Sequence, residues 1–410
     1  MDIYITITVL LSLSATFAYV NHRFIKMPFV IGLFFQSTIV SLLILMSRFW
    51  YRQPFNDFKL IIAQTDISKF ILEIMLGFLL FAGSLHTDWP NVKKQLKPIV
   101  VLAVGGVIIS TLIIAGLFYG LCSAFNLQID FIYCLLFGCL ISPTDPIAVL
   151  GILTKAGVPK KIESIIVGES LFNDGVGVVL FITLLETLNS GTGAINYSNF
   201  GLLFLQESVG GIIFGLGIGF ILHKLLATID HYETELLLTI AFVMAGYSLC
   251  LYLHLSGPLA MVVMGLLIGN YKTSLAMSDT TKEYVHKFWE LVDVILNAIL
   301  FILIALVLVV ISFKSQYFLI GVIAIPIILL TRIIVVYIPR FFLPRTFNIN
   351  HKDARLIIWG GLRGGLSIAL VLSLPESEQK NLLVVATYVA VLFSILVQGL
   401  TIGKLSKSVS

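Results

Sequence analysis

A chain of 410 residues that is 58% hydrophobic and only 12% charged carries about half the charge of an ordinary soluble protein. That excludes a water-soluble globular body, and successive apolar runs of roughly 20 residues place the protein in a bilayer. The net charge of +4 is scattered through short loops, which fits membrane topology and argues against a nucleic-acid partner.

The first apolar run, residues 3–20, has an acidic start, and its positive flank, Arg23 and Lys26, comes after it. A cleaved leader has the opposite polarity, so a retained first helix is expected. Further spans follow at about 28–47, 70–86, 98–121, 130–152, 162–186, 201–223, 235–253, 258–270, 289–311, 317–338, 355–374 and 382–403. The expected fold is therefore an all-α polytopic membrane protein of about 13 transmembrane helices. The ninth span is short, and Gly257-Pro258 before it suits a tight pairing of spans eight and nine. Cys122, Cys134, Cys139 and Cys250 lie in or beside apolar runs, without metal or disulfide spacing, and read as packing residues.

Placing the N-terminus outside puts 18 Lys and Arg in cytoplasmic loops and 6 in external ones, with Arg332 and Arg363 inside spans. Four of the six external residues (Arg48, Arg52, Lys59 and Lys69) fall in the stretch 48–69, which is expected along the membrane interface. The C-terminus, LSKSVS, is then cytoplasmic.

Span three carries Glu73 just inside its start, as an acid on a cation path or an interfacial carboxylate. Span five contains ISPTDPIAVL. Pro143 and Pro146 lack amide hydrogens, which frees the carbonyls of Cys139 and Ser142, and Asp145 before Pro146 is biased out of the helical region. A helix broken at membrane depth must line a cavity or be buried in protein. Freed carbonyls beside a carboxylate make a hard-oxygen site suited to a small cation. The alternative is a proline kink with a hydrogen-bonded aspartate, against which stands the roughly 2.5–3.5 kcal/mol cost of an intramembrane Asp.

Span six reads IIVGESLFNDGVGVVLFITLL. Ser170 and Asp174 share one face, Glu169 and Asn173 another, and Glu169 lies about 140° from Asp174. One face can meet the broken fifth helix while the other carries Glu169 to a different partner. Gly168, Gly175 and Gly177 allow close backbone approach. His254 falls at an external turn and reads as solvated. Glu290 and Asp293 fall in the first turns of span ten and read as helix-dipole partners. Arg332 in span eleven is the candidate partner of Glu169, since each is otherwise an unpaired buried charge. Span twelve, with GGLRGGLSIAL, is weakened by glycines around Arg363. Interruptions seven spans apart are what an inverted-repeat transporter shows, and Arg363 is expected to hold the crossing together.

The string PTDPIAVLGILTKAGVPKKIESIIVGESLFNDGVGVVLF closely resembles the monovalent cation/proton antiporter family of NhaP and NHE type. Supporting strings are LLFAGSLHTDW, HKFWELVDVILNAILF, TRIIVV and GGLRGG, so the resemblance covers about residues 70–400. It implies an antiporter fold with two broken crossing helices and two bodies. The core is residues 98–190 and 313–410, and the dimerisation domain is residues 1–97 and 191–312. Carried over, Asp174 resembles the cation- and proton-binding carboxylate, with Asp145, Ser170 and the Thr144 backbone as further ligands. Asn173 resembles the organiser of the crossing, Glu169 pairs with Arg332, and Glu73 resembles an acid that some prokaryotic members place near the site. Asn173, rather than a second Asp, is the electroneutral pattern, one proton per cation. FILIALVLVV in span ten departs from relatives that carry a glycine and a polar residue there.

The implied activity is exchange of Na+ or Li+ for H+ across the cell membrane by a homodimer in lipid, without cofactor or enzymatic chemistry. A site neutralised by a proton or by a cation, but not by both, couples the two fluxes. A K+/H+ antiporter, a cation channel and an intramembrane aspartyl hydrolase are the alternatives. The lack of a repeated pore loop argues against the channel, and the PTDP break with intramembrane arginines against the hydrolase.

Overall fold

The computed structural model describes residues 3–53, 55, 56, 59, 66–146, 150, 151, 153, 154, 157–189, 197–270, 278–311, 314–347 and 349–407. Among these the chain is helical almost throughout, with one isolated β-bridge and no strand. In chain order the helices are α1 Ile3–Val20, α2 Phe29–Ser47, α3 Ile67–Leu85, α4 Leu96–Ala124 and α5 Phe131–Ile141. Next come α6 Lys160–Asn189, α7 Tyr197–Leu226, α8 Tyr232–Tyr252, α9 Gly257–Asn270 and α10 Asp279–Val310. The last are α11 Ser315–Phe342, α12 His351–Gly360, α13 Gly365–Leu372 and α14 Glu378–Ser406. Among the described residues nine of these are long and apolar enough to cross a membrane. The order reproduces the thirteen spans, with α5 as the first half of the fifth and α12 and α13 as the two halves of the twelfth.

Polar caps fix several of the starts. Asp66 accepts from Lys69 N–H at 2.9 Å before α3, Asn350 from Asp353 N–H at 2.7 Å before α12, and Ser377 from Lys380 N–H at 3.0 Å before α14. Ser278 caps α10 in the same way, accepting from Thr281 N–H at 3.3 Å, and this corrects one expectation. The tenth helix begins at Asp279 rather than near 289, so Glu290 and Asp293 sit three to four turns inside it, beyond the reach of the N-terminal dipole. The polar first turns carry no hydropathy signal, which is why the apolar run alone places the start too late. Much of the stretch 48–69 expected at the interface lies outside the described residues, as does the end of LSKSVS.

Packing is closest within two sets of helices. α7 and α8 lie on α9, α9 on α3, and α10 on α2 and α3; α4 packs on α5 and α11, α14 on α11 and α13, and α5 on α6. α6 joins the sets through α7 and α9, and α13 through α3. Along α7 the exposed Leu202, Leu205, Val209, Ile213, Leu216 and Phe220 recur three or four residues apart, an outward apolar face suited to lipid. The four cysteines are buried and free.

Candidate cation site

The site forms where two helix interruptions cross. α5 stops at Ile141 because Pro143 has no amide hydrogen, and the end is closed by Ser142, whose N–H donates to Cys139 O at 3.3 Å and whose hydroxyl donates to Gly138 O at 2.5 Å. The chain then runs extended, and Asp145 N–H donates to Leu362 O at 2.8 Å in an antiparallel bridge between the two interruptions. Arg363, 3% exposed, donates through Nη1 to the carbonyls of Ser142 and Pro143, the latter at 2.8 Å. A carbonyl released by the fifth span is thus taken up by the arginine of the twelfth. The second interruption is steadied in turn. Arg363 N–H donates to Ser394 Oγ at 2.8 Å, Ser394 Oγ to Gln398 Oε1 at 2.8 Å, and Gln398 Nε2 to Trp359 O at 3.3 Å. Residues Ser394–Gln398 form a π-helical turn within α14, and hydropathy gives no warning of it.

α6 supplies the facing wall. Ser170 Oγ donates to Thr144 O, and Asn173 Nδ2 donates to Thr144 Oγ1 at 2.9 Å while its Oδ1 accepts from Thr144 N–H at 3.4 Å. Both side chains therefore grip the same residue of the fifth span. The close approach needs Gly177, where a methyl group would overlap the ring of Pro143. Gly364 has the same role on the other side, because a methyl there would overlap the Asp145 carboxylate.

Asp174 lies one turn beyond Ser170, and both line a cavity of about 580 Å³ together with Thr144 and Asp145. Two carboxylates with hydroxyl and carbonyl oxygens nearby can hold either a small monovalent cation or a proton. Among the described residues no Lys or Arg forms an ion pair with Asp174. Glu169 points elsewhere: Arg332 donates through Nη1 to Glu169 Oε1 and through Nη2 to Oε2 at 2.9 Å, and also reaches Ile357 O at 3.1 Å. Both partners of this bidentate pair are buried.

The cavity runs from exposed His86, Asp88, Lys160 and Glu290 down to buried Thr144 and Ser170. Glu73 is not among its lining residues. Its side chain is 50% exposed and pairs with Lys69 at 3.9 Å, so the acid considered for the access path stands at the surface instead. Asp293 and Asn297 of α10 do line the cavity; sequence reasoning assigned Asp293 to the helix dipole and passed over Asn297. The signal available was their spacing of four, which places them on one helix face.

Residues 10–407 match the family model described as sodium/hydrogen exchanger, transmembrane. The chain belongs to the sodium/hydrogen exchanger family. Like other members of this exchanger family, it is an integral membrane protein of a transporter class. The chain is 44% identical to the Na(+)/H(+) antiporter NhaP of Pseudomonas aeruginosa over 409 residues, covering 97% of this chain and 95% of that one. It is 33% identical to the Na(+)/H(+) antiporter NhaH of Halobacillus aidingensis, covering 99% and 98%. The exchanger fold is that of the solved structure of the sodium proton antiporter MjNhaP1 from Methanocaldococcus jannaschii at pH 8, with a TM-score of 0.78 at 19% identity and 99% of each chain covered.

Proposed function

We propose that the protein is a sodium/proton antiporter that exchanges Na+ or Li+ for H+ at Asp174, with Asp145, Ser170 and Thr144 completing the oxygen cage. The observation that carries this reading is the meeting of Asp174 and Asp145 in one cavity at the crossing of two helix interruptions. A proton or a cation neutralises the site, not both together, so loading one releases the other. Asn173 organises the crossing, Arg363 ties its two halves, and Glu169 with Arg332 braces the helix that bears the site. Asn173 in place of a second carboxylate supports electroneutral exchange. The two packing groups support a division into a core, residues 98–190 and 313–410, and a dimerisation domain, residues 1–97 and 191–312. The protein works as a homodimer in the lipid of the cell membrane, N-terminus outside and C-terminus inside. In that orientation His86, Asp88 and Lys160 lie at the cytoplasmic ends of their spans, and the cavity opens inward.

The test uses everted membrane vesicles holding a pH gradient, to which sodium or lithium is added. The native protein dissipates the gradient and Asp174→Asn does not; normal exchange by that variant overturns the site assignment. Potassium in the same assay decides the alternative cation.

A further inference from the structure

An interrupted helix leaves main-chain groups in need of partners, and the twelfth span shows where they go. In an unbroken helix Arg363 N–H would donate to Trp359 O, four residues back. Here two side chains of α14 stand between those groups. Arg363 N–H donates to Ser394 Oγ at 2.8 Å, Ser394 Oγ donates to Gln398 Oε1 at 2.8 Å, and Gln398 Nε2 donates to Trp359 O at 3.3 Å. The relay begins and ends on the two atoms of the missing bond. Its sense is fixed, because turning the Gln398 amide over would set Oε1 against the Trp359 carbonyl.

Neighbouring groups find partners as well. Arg332 Nη2 donates to Ile357 O at 3.1 Å, and Leu362 N–H closes a tight turn on Gly360 O at 2.9 Å, with Gly361 at φ −75° and ψ 69°. Ser394 and Gln398 are 1% and 3% exposed, so bulk water does not compete for the relay. They occupy the two ends of the π-helical turn in α14, a form that occurs mostly as a single turn and often at functional sites.

The interruption gives the crossing its working parts. With the helix open between α12 and α13, Leu362 O accepts from Asp145 N–H at 2.8 Å, and the Arg363 guanidinium reaches the carbonyls of Ser142 and Pro143. Closing the bond from Arg363 N–H to Trp359 O would draw Leu362 and Arg363 into helical register and away from the fifth span. A side chain inserted into the helical ladder is a recognised cause of a break.

We propose that Ser394 and Gln398 are positioning residues of the cation site, a wedge in the ladder of the twelfth span that keeps it open and so fixes Asp145. The proposal rests on the antiport reading of the cavity. Neither side chain lines that cavity; both act through Leu362 and Arg363.

The experiment measures the sodium dependence of exchange in everted vesicles. Ser394→Ala and Gln398→Met, which keeps the volume, are each expected to raise the half-saturating sodium concentration roughly tenfold, the scale of one buried hydrogen bond. The rate at saturating sodium is kept. The double variant rises no further, because the two groups serve one relay. Ser394→Thr keeps the hydroxyl and stays near native, and Ser394→Cys, a weak donor and acceptor, falls between Thr and Ala. Thr401→Val supplies the contrast. It removes the 2.9 Å bond from Trp359 Nε1 to Thr401 Oγ1, which joins the same two helices outside the ladder, and native half-saturation is expected. Native half-saturation in folded Ser394→Ala or Gln398→Met, a rise of about a hundredfold in the double variant, or an equal rise in Thr401→Val would each overturn the proposal. Where the alanine variant does not fold, equal half-saturation in Ser394→Thr and Ser394→Cys overturns it. Normal exchange by Asp174→Asn overturns the antiport reading instead.

Discussion

Glu169 and Asp174 stand on the same helix, less than two turns apart, yet they meet opposite circumstances. Glu169 is closed on both carboxylate oxygens by Arg332 and sealed from solvent. Asp174 faces a cavity of about 580 Å³ shared with a second carboxylate, and among the described residues no Lys or Arg pairs with it. The first charge is neutralised by the protein itself, at a fixed place, and serves cohesion. On the proposed reading, the second is left for something that arrives and leaves. A buried carboxylate is thus not by its burial a transport residue; what matters is whether its counter-charge is built in.

That contrast can be tested in descending order of effect. Asp174→Asn should remove sodium-driven proton movement completely while the folded yield by size exclusion stays native. Arg332→Ala should do the reverse. It leaves Glu169 as an unpaired buried charge, a destabilisation of about 3–5 kcal/mol read by unfolding in detergent, with native sodium half-saturation in whatever protein folds. A fall in sodium affinity at normal yield would erase the distinction between the two carboxylates. Arg363→Lys, which replaces a fork of donors with a point charge at the Ser142 and Pro143 carbonyls, should cost about 1.5–3 kcal/mol in the same unfolding measurement. Ser170→Ala is the mildest. Losing its bond to Thr144 O should lower stability by about 0.5–1.5 kcal/mol and raise the half-saturating sodium concentration a few-fold.

The sequence makes part of this legible because helical geometry is arithmetic. A spacing of four puts Ser170 beside Asp174, five residues carry Glu169 to another face, and two prolines in ISPTDP stop a helix wherever it is placed. Other parts depend on what only three dimensions supply. The first ten residues of α10 are polar enough to hide its start, and that concealed the position of Asp293 and Asn297 on the cavity wall. The grip of Ser394 and Gln398 on the second interruption depends on a π-helical turn in a run of otherwise uniform hydropathy. Glu73 is a residue the sequence leaves open. Its place at the edge of an apolar run allows a path acid or an interfacial carboxylate, and only its direction around the helix, to the surface and Lys69, distinguishes the two.

The bridge from Asp145 to Leu362 and the reach of Arg363 to Ser142 and Pro143 stitch the two interruptions into one piece. On the proposed reading, the ion's cradle then travels intact, like the pan of a balance carried from one room to another without being reset. It weighs sodium against protons by the same standard on both sides of the membrane. The direction of net exchange is accordingly dictated by the two concentrations it meets, and asymmetry between inward and outward operation has to be added by the walls of the passage.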